Sequence, residues 1–174
     1  MRSLLIVFIS TVFFLVGCSP KETSNESQSP DAREEVEMDQ GDETLSIAMD
    51  FMDAMGKGDM EQMISLMHDD MVWHNEGDAR MPWIGPWVGK KAILEEFMPL
   101  FGENFKTTKW NTEDAFASGD TAAFFGRMVG LLTGSNQETK EFTFALRVKV
   151  KDGKIILWNW FEDSYEVSNK YHGV

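Results

Sequence analysis

The second half of the chain alternates apolar and polar residues over four long stretches, and this pattern constrains the fold more than any other feature. The stretches are 105–116, 121–133, 139–150 and 154–163, and short turns rich in Gly, Ser, Asn and Asp join them. Because the side chains of a β-strand point to alternate faces, the pattern predicts four antiparallel strands with one buried face. The last stretch is apolar on both faces, which predicts a strand that is covered on both sides.

Three helices are predicted before these strands. Residues 44–55 place apolar side chains on a wide face, with Asp42 or Thr44 as the N-cap. Asp59 begins a second, shorter helix through a capping-box pattern. Residues 90–101 form the third helix, and Pro99 should kink or shorten its last turn because proline lacks the backbone N–H and clashes with the preceding turn.

The segment 71–89 lies between the second and third helices and is rich in aromatic residues. Trp73 and His74 belong to a short strand, and Trp83, Pro86 and Trp87 belong to the loop that follows it. Tryptophan side chains are large apolar bodies with one polar tip, and such rings often enclose a ligand. The segment is therefore predicted to form the wall and rim of a small-molecule pocket.

The N-terminus has the pattern of an export signal. After Arg2, the mostly apolar run 4–16 is too short to cross a hydrocarbon core of ~30 Å as a helix, so residues 1–17 are predicted to be a signal peptide. Leu15-Val16-Gly17-Cys18 resembles the lipobox of bacterial lipoproteins, which implies cleavage before Cys18 and attachment of lipid such as palmitate to it. The expected location is the bacterial cell envelope, with the outer membrane favoured by Ser19 where there are two membranes. The alternative is an ordinary secretory signal with an incidental cysteine.

Residues 18–43 are predicted to be a disordered, acidic tether. Within 19–43 there are two basic residues, nine acidic residues and no aromatic residue, so the segment cannot bury enough apolar surface to fold. The whole chain has a formal net charge of −13 and no basic stripe, which argues against nucleic acid as a partner. Cys18 is the single cysteine, so an internal disulfide is impossible and the domain depends on its packed core.

The order of the predicted elements resembles the nuclear-transport-factor-2-like superfamily. Four strings are similar to phrases of its SnoaL-like and ketosteroid-isomerase-like branch: GKGDMEQMISLMHDDMVWHNEG, WVGKKAILEEF, FASGDTAA and VKDGKIILWNWFED. The resemblance implies a cone-shaped α+β fold in which three N-terminal helices pack on a curved, mostly antiparallel sheet. It covers a domain at 44–167 and leaves 168–174 as a C-terminal tail. Isomerases, cyclases, hydrolases, dehydratases and binding proteins share this fold, so the fold alone does not indicate an activity.

Only one of the catalytic residues of the ketosteroid isomerases has a counterpart in this sequence that could play a similar chemical role. Their carboxylate base corresponds to His74, whose imidazole could still move protons near neutral pH. Their two hydrogen-bond donors to the enolate oxygen correspond to Phe51 and Ala145, and neither side chain can donate. Losing one such donor typically costs about two to three decades of rate, so the resemblance argues against this mechanism.

The epoxide hydrolases of the same fold fit no better. They need an Arg and two Asp residues, and Arg127 corresponds to the Arg while Val129 and Trp160 occupy the Asp positions.

His74 is the leading catalytic candidate, with Asp163 or its neighbour Glu162 assisting. The alternatives are a hydrogen-bonded residue at the end of a strand for His74 and a solvated acidic pair for the other two. Arg127 lies in an otherwise apolar strand and needs an anion, which is either a carboxylate of the protein or the acid group of a ligand.

No metal or cofactor is predicted. His68, Asp70 and His74 match no closed-site spacing, and no phosphate loop or nucleophile elbow is present in the sequence.

The residues predicted to line or close the pocket are mostly aromatic: Trp73, Trp83, Trp87, Phe97, Phe101, Arg127, Trp158 and Trp160. Some of these rings could instead form the face of a homodimer.

Three functions follow from these observations. The first is a membrane-tethered domain that binds a small, largely apolar molecule in an aromatic pocket. The second is a lyase, isomerase or cyclase that uses His74 as general acid or base, and the third is a protein-interaction module of the envelope.

Overall fold

The computed structural model describes residues 39–174. The predicted signal peptide, Cys18 and most of the predicted tether lie outside the described residues. The described elements, in chain order, are α1 (Gln40–Lys57), α2 (Met60–Ser65), β1 (Met67–Asn75), β2 (Gly85–Val88), α3 (Lys90–Ala92), a π-helical turn (Ile93–Phe97), α4 (Met98–Asn104), β3 (Phe105–Ser118), β4 (Thr121–Leu132), β5 (Gln137–Glu138), β6 (Phe142–Lys151), β7 (Lys154–Glu162) and α5 (Ser164–His172).

The strands form one curved sheet in the order β2-β1-β7-β6-β4-β3, and the short β5 pairs with β4. All neighbours are antiparallel except β1 and β7, which run parallel. The predicted meander is therefore confirmed, and its last strand lies inside the sheet between β1 and β6. The helices pack on the inner face of the sheet, so the predicted α+β cone with three N-terminal helical segments is confirmed.

Helix α1 begins four residues earlier than predicted. Its N-cap is Asp39 rather than Asp42 or Thr44. Thr44 is buried in the helix, and its hydroxyl donates a 2.8 Å hydrogen bond to the carbonyl oxygen of Gly119 in the β3–β4 turn. The predicted start of α2 is confirmed, because the Asp59 side chain accepts a 3.0 Å hydrogen bond from the Gln62 backbone N–H.

The third helical segment runs without a break from α3 through the π-helical turn into α4. Pro99 occupies the first turn of α4, directly after the π-helical turn. A wider turn relieves the clash of the proline ring with the carbonyl group one turn before it, so the helix adapts at this point and continues to Asn104.

Strand β1 begins at Met67, directly after α2, and residues 68–70 belong to it. The register between β1 and β7 shifts between Met67 and Val72, which indicates a β-bulge in this stretch. Beyond the bulge, Trp73 is paired with Trp158 and Asn75 with Trp160. Because paired residues point to the same side of a sheet, all four side chains lie on the inner face.

The outer face of the sheet is partly apolar. Its exposed large apolar side chains include Phe116, Phe125 and Phe161. The residues Phe125, Ala145 and Phe161 stand side by side on neighbouring strands. Homodimer formation through such a face stays a prediction.

Helix α5 ends at His172 and includes the first residues of the predicted C-terminal tail at 168–174. Val167 is fully buried, and the ring of Tyr171 packs edge-on against Trp83 at a centroid distance of 5.0 Å. Asp78 accepts hydrogen bonds from the Arg80 guanidinium and the Ser168 hydroxyl, which hold the pKa of that carboxyl below its usual range. The helix is therefore attached to the loop between β1 and β2. Within residues 39–174, no helix is long and apolar enough to cross a bilayer.

Candidate functional site

A cavity of about 630 Å³ lies between the helices and the inner face of the sheet. Its wall is mainly aromatic rings and methionine side chains, and its polar lining is small. The lining residues are Met52, Met55, Gly56, Trp73, Asn75, Phe97, Met98, Phe101, Phe105, Thr107, Thr108, Lys109, Trp110, Met128, Trp158, Trp160 and Glu162.

Strand β7 contributes three residues to the wall. Trp158, Trp160 and Glu162 alternate along the strand, so all three side chains point inward. Trp158 stacks on Trp73 of the parallel neighbour β1 with ring centroids 5.1 Å apart, and it packs on Phe51 of α1 at the same distance. These contacts close the deep end of the cavity.

Glu162 is the acidic residue of this wall. Its Oε2 accepts a 2.9 Å hydrogen bond from the Trp160 indole N–H, which fixes the orientation of the carboxyl group. Its Oε1 is buried and has no hydrogen-bond partner among the described residues. Burial raises the pKa of Glu162 to about 7, with a smaller contribution in the same direction from the charge of Asp163, and the Trp160 hydrogen bond opposes both.

An aromatic cluster of Trp110, Phe144 and Trp160 accounts for this burial. The ring of Phe144 lies 4.4 Å from Trp110 and 4.8 Å from Trp160 between centroids. Phe144 is also the cross-strand partner of Glu162. Gly126 of β4 permits this packing, because a Cβ there would lie 2.7 Å from the Phe144 ring. The cluster removes water from the carboxyl group, and a carboxylate is poorly stable without water or a partner.

Asn75 is the other inward polar residue near the closed end. Its Oδ1 accepts a 3.0 Å hydrogen bond from the Trp73 indole, and its Nδ2 donates a 3.4 Å hydrogen bond to the Trp83 carbonyl oxygen. The amide therefore positions two tryptophans. Glu162 differs from it, because the residue lines the cavity and its Oε1 has no hydrogen-bond partner among the described residues.

Five of the residues predicted to line the pocket lie along the cavity: Trp73, Phe97, Phe101, Trp158 and Trp160. Trp83 does not. It is only 1% exposed and packs in the core against Phe101 and Tyr171. Trp87 also lies behind the wall, where its ring contacts Phe97 at 5.6 Å and its indole donates to the Trp83 carbonyl oxygen.

His74 is not among the residues that line the cavity, and its role as a base stays a prediction. It follows Trp73 in β1, and because Trp73 points inward, His74 points to the outer face. There its Nδ1 lies 3.5 Å from Glu76 Oε1, which also accepts a hydrogen bond from Asn159. A carboxylate is in reach, but the pair lies on the side of the sheet opposite the cavity.

Asp163 and Arg127 are also outside the cavity. Asp163 is exposed and caps α5 through a 3.3 Å hydrogen bond from the Glu166 backbone N–H. Arg127 is on the outer face of β4, and its Nε lies 3.0 Å from Glu113 Oε1 on the neighbouring strand. The anion that Arg127 needs is therefore a carboxylate of the protein.

The sequence indicated Glu162 only as an assistant to His74. Its alternation with Trp158 and Trp160 was the available signal, since these residues share a face of the strand. Trp110, Asn75 and Met128 were not predicted as lining residues, and nothing in their local sequence distinguishes them. In the part of the chain that the structure describes, no group of three His, Cys, Asp or Glu side chains could hold a metal ion.

The comparisons with known proteins agree on the fold. The NTF2-like protein of Burkholderia xenovorans LB400 superposes with a TM-score of 0.67 at 21% identity, over 75% of this chain and 97% of that one. The NTF2-like protein of Burkholderia thailandensis E264 superposes with a TM-score of 0.64 at 21% identity, over 73% of this chain and 95% of that one. TerC, crystallised with polyporic acid, superposes with a TM-score of 0.65 at 15% identity, over 75% of this chain and 98% of that one. No curated protein matches the sequence of this chain.

The model of the SnoaL-like domain matches residues 48–158. This range begins in α1, ends in β7 and contains most of the cavity wall. It covers more than half of the chain, and the chain therefore belongs to the SnoaL-like domain family.

Proposed function

We propose that this chain is a tethered protein that binds a small, largely apolar molecule in the cavity of its SnoaL-like domain. The observation that carries the proposal is the cavity of about 630 Å³ with an aromatic and methionine wall. Ligand pockets have volumes of roughly 300–1,000 Å³ and combine an apolar lining with a few polar groups. The tether rests on the sequence around Cys18 and stays a prediction.

The polar groups of the wall limit what the ligand can be. Asn75 is occupied by two tryptophans, whereas Glu162 Oε1 is buried without a partner. A ligand that fills the cavity with apolar surface and presents one hydrogen-bond donor to the Glu162 carboxyl group would supply the missing partner. An unsatisfied buried polar group costs about 1–3 kcal/mol, so this one contact would favour such a ligand over a purely apolar one.

TerC was crystallised with polyporic acid. This supports the proposal that a cavity of this fold accommodates a small organic molecule. The identity of the ligand does not transfer at 15% sequence identity.

Blocking the cavity tests the proposal. Gly56 lines the cavity near the end of α1, and a Cβ added there meets no atom within 4 Å. We expect Gly56→Trp to fill the entrance and to raise the Kd for N-phenyl-1-naphthylamine, a neutral hydrophobic fluorescent probe, by at least about tenfold. Probe fluorescence during titration of the full chain measures this.

Gly102→Trp is the matched control. Gly102 lies in α4, also has no atom within 4 Å of an added Cβ, and is not part of the cavity wall. Both variants retain the same N-terminal segment, so a difference between them reports on the cavity. Equal probe binding by the two variants would contradict the proposal.

A second candidate is an enzyme, and the pKa of Glu162 favours it. A carboxyl group with a pKa of about 7 is poised to exchange protons near neutral pH. Glu162, unlike His74, also faces the space where a substrate would bind. If a bound molecule is turned over, Glu162→Gln should abolish the turnover and His74→Ala should leave it unchanged.

A further inference from the structure

The neighbours of Glu162 indicate a class of ligand, an inference that rests on the proposed binding function. Among residues 39–174, no nitrogen of a Lys, Arg or His side chain lies within 4.0 Å of its carboxylate oxygens. The protein therefore places an acidic group in an apolar wall without supplying a cation for it.

The groups that face Glu162 from the adjoining elements do not change this conclusion. On β6 its cross-strand partner is Phe144, and on β1 the inward residue is the uncharged Asn75. Lys109 of β3 lines the same cavity but is exposed, and it is not among the groups that shift the pKa of Glu162. Asp163, the next residue on the chain, is exposed and adds negative charge.

The surroundings of Glu162 also favour a positive charge. The faces of aromatic rings carry partial negative charge and attract cations within about 6 Å. The rings of Trp110, Phe144 and Trp160 pack on one another, and Trp160 donates its indole N–H to the Glu162 carboxyl group. Over longer distances, the formal net charge of −13 attracts cations and repels anions.

We propose that the cavity selects a lipophilic organic cation, an apolar molecule with a protonated amine, whose ammonium group pairs with the carboxylate of Glu162 at the cavity wall, next to the Trp110–Phe144–Trp160 cluster. The cation compensates the buried carboxylate, and the apolar remainder fills the aromatic cavity. An anionic ligand of the same shape is repelled by the same carboxylate.

Three probes of one shape and different charge test this inference with the full chain: naphthalene-2-methylamine, which stays protonated from pH 6 to pH 8, the neutral naphthalene-2-methanol, and naphthalene-2-carboxylate. Isothermal titration at pH 8 measures the three Kd values. We expect the amine to bind at least about tenfold more tightly than the alcohol and the carboxylate to bind most weakly. Lowering the pH to 6 protonates Glu162 and should weaken binding of the amine by up to about tenfold without affecting the alcohol.

The variants identify the group responsible. Glu162→Gln should remove the preference for the amine and retain binding of the alcohol, whereas Asp163→Asn, at an exposed carboxylate next in the chain, should retain the preference. Binding of the alcohol without preference for the amine, or a preference that survives in Glu162→Gln, would overturn the inference and leave the proposed function standing. Failure of all three probes to bind would overturn both.

Discussion

Glu162→Gln is expected to stabilise the protein at pH 8 relative to the unchanged chain, and the gain should shrink as the pH falls to 5. The pKa of Glu162 is raised from 4.5 to about 7, so the folded state retains a proton that the unfolded state has lost. Its contribution to stability is therefore complete below about pH 4.5 and is lost as the pH rises through about 7. Glutamine does not ionise, so the free energy of unfolding of the variant does not fall in this way as the pH rises.

The expected size follows from the same linkage. The free energy of unfolding of the variant, relative to that of the unchanged protein, should be on the order of 2–3 kcal/mol higher at pH 8 than at pH 5. Urea unfolding of both proteins at the two pH values measures the difference. Asp163→Asn is the control, and its effect should not follow this pH dependence. A gain for Glu162→Gln that is equal at both pH values would show that the carboxyl group is solvated.

Trp158→Ala should lower the free energy of unfolding by about 3–5 kcal/mol, the usual range for truncating a buried large aromatic residue. Trp158 is 2% exposed, and its ring packs on Phe51 and Trp73 with centroids 5.1 Å away in both cases. Removal of the ring would enlarge the cavity at its closed end, and its two neighbours would lose their contacts. Denaturant unfolding at a fixed pH checks the value.

Phe161→Ala provides the comparison for Trp158→Ala. Phe161 lies in the same strand, points to the outer face and is 40% exposed. In a monomer, its truncation should lower the free energy of unfolding by less than about 1 kcal/mol, since most surface substitutions have small effects on stability. If both substitutions cost the same, the assignment of inner and outer faces on β7 would be incorrect.

Much of the fold could be predicted from local pattern. The alternation from Phe105 onward predicted the antiparallel strands, because a two-residue period is a property of the extended backbone itself. Asp59 was correctly predicted to begin a helix for an equally local reason, since its side chain bonds a backbone N–H three residues away. The first helix was predicted too short because its N-terminal turn, at Gln40, is acidic and has few apolar residues.

The candidate site was harder to predict because the two-residue period of a strand does not reveal which of its two faces points to the cavity. Trp73 and His74 are adjacent in β1, so they must point to opposite faces, and the choice between them depends on how the strand pairs. Pairing with β7 turns Trp73 inward toward Trp158 and leaves His74 outside. His74, at the position of the isomerases' base, therefore lies on the face of the sheet opposite the cavity.

The sequence by itself determined that Trp158, Trp160 and Glu162 share one face of a strand, because that follows from alternation alone. Only the tertiary structure decided that the Oε1 atom of Glu162 is buried. Its cross-strand neighbour Phe144 comes from β6, and Trp110, which packs on Phe144 and Trp160, comes from the edge strand β3. Desolvation depends on these distant segments meeting at one carboxyl group, and no local pattern encodes that meeting.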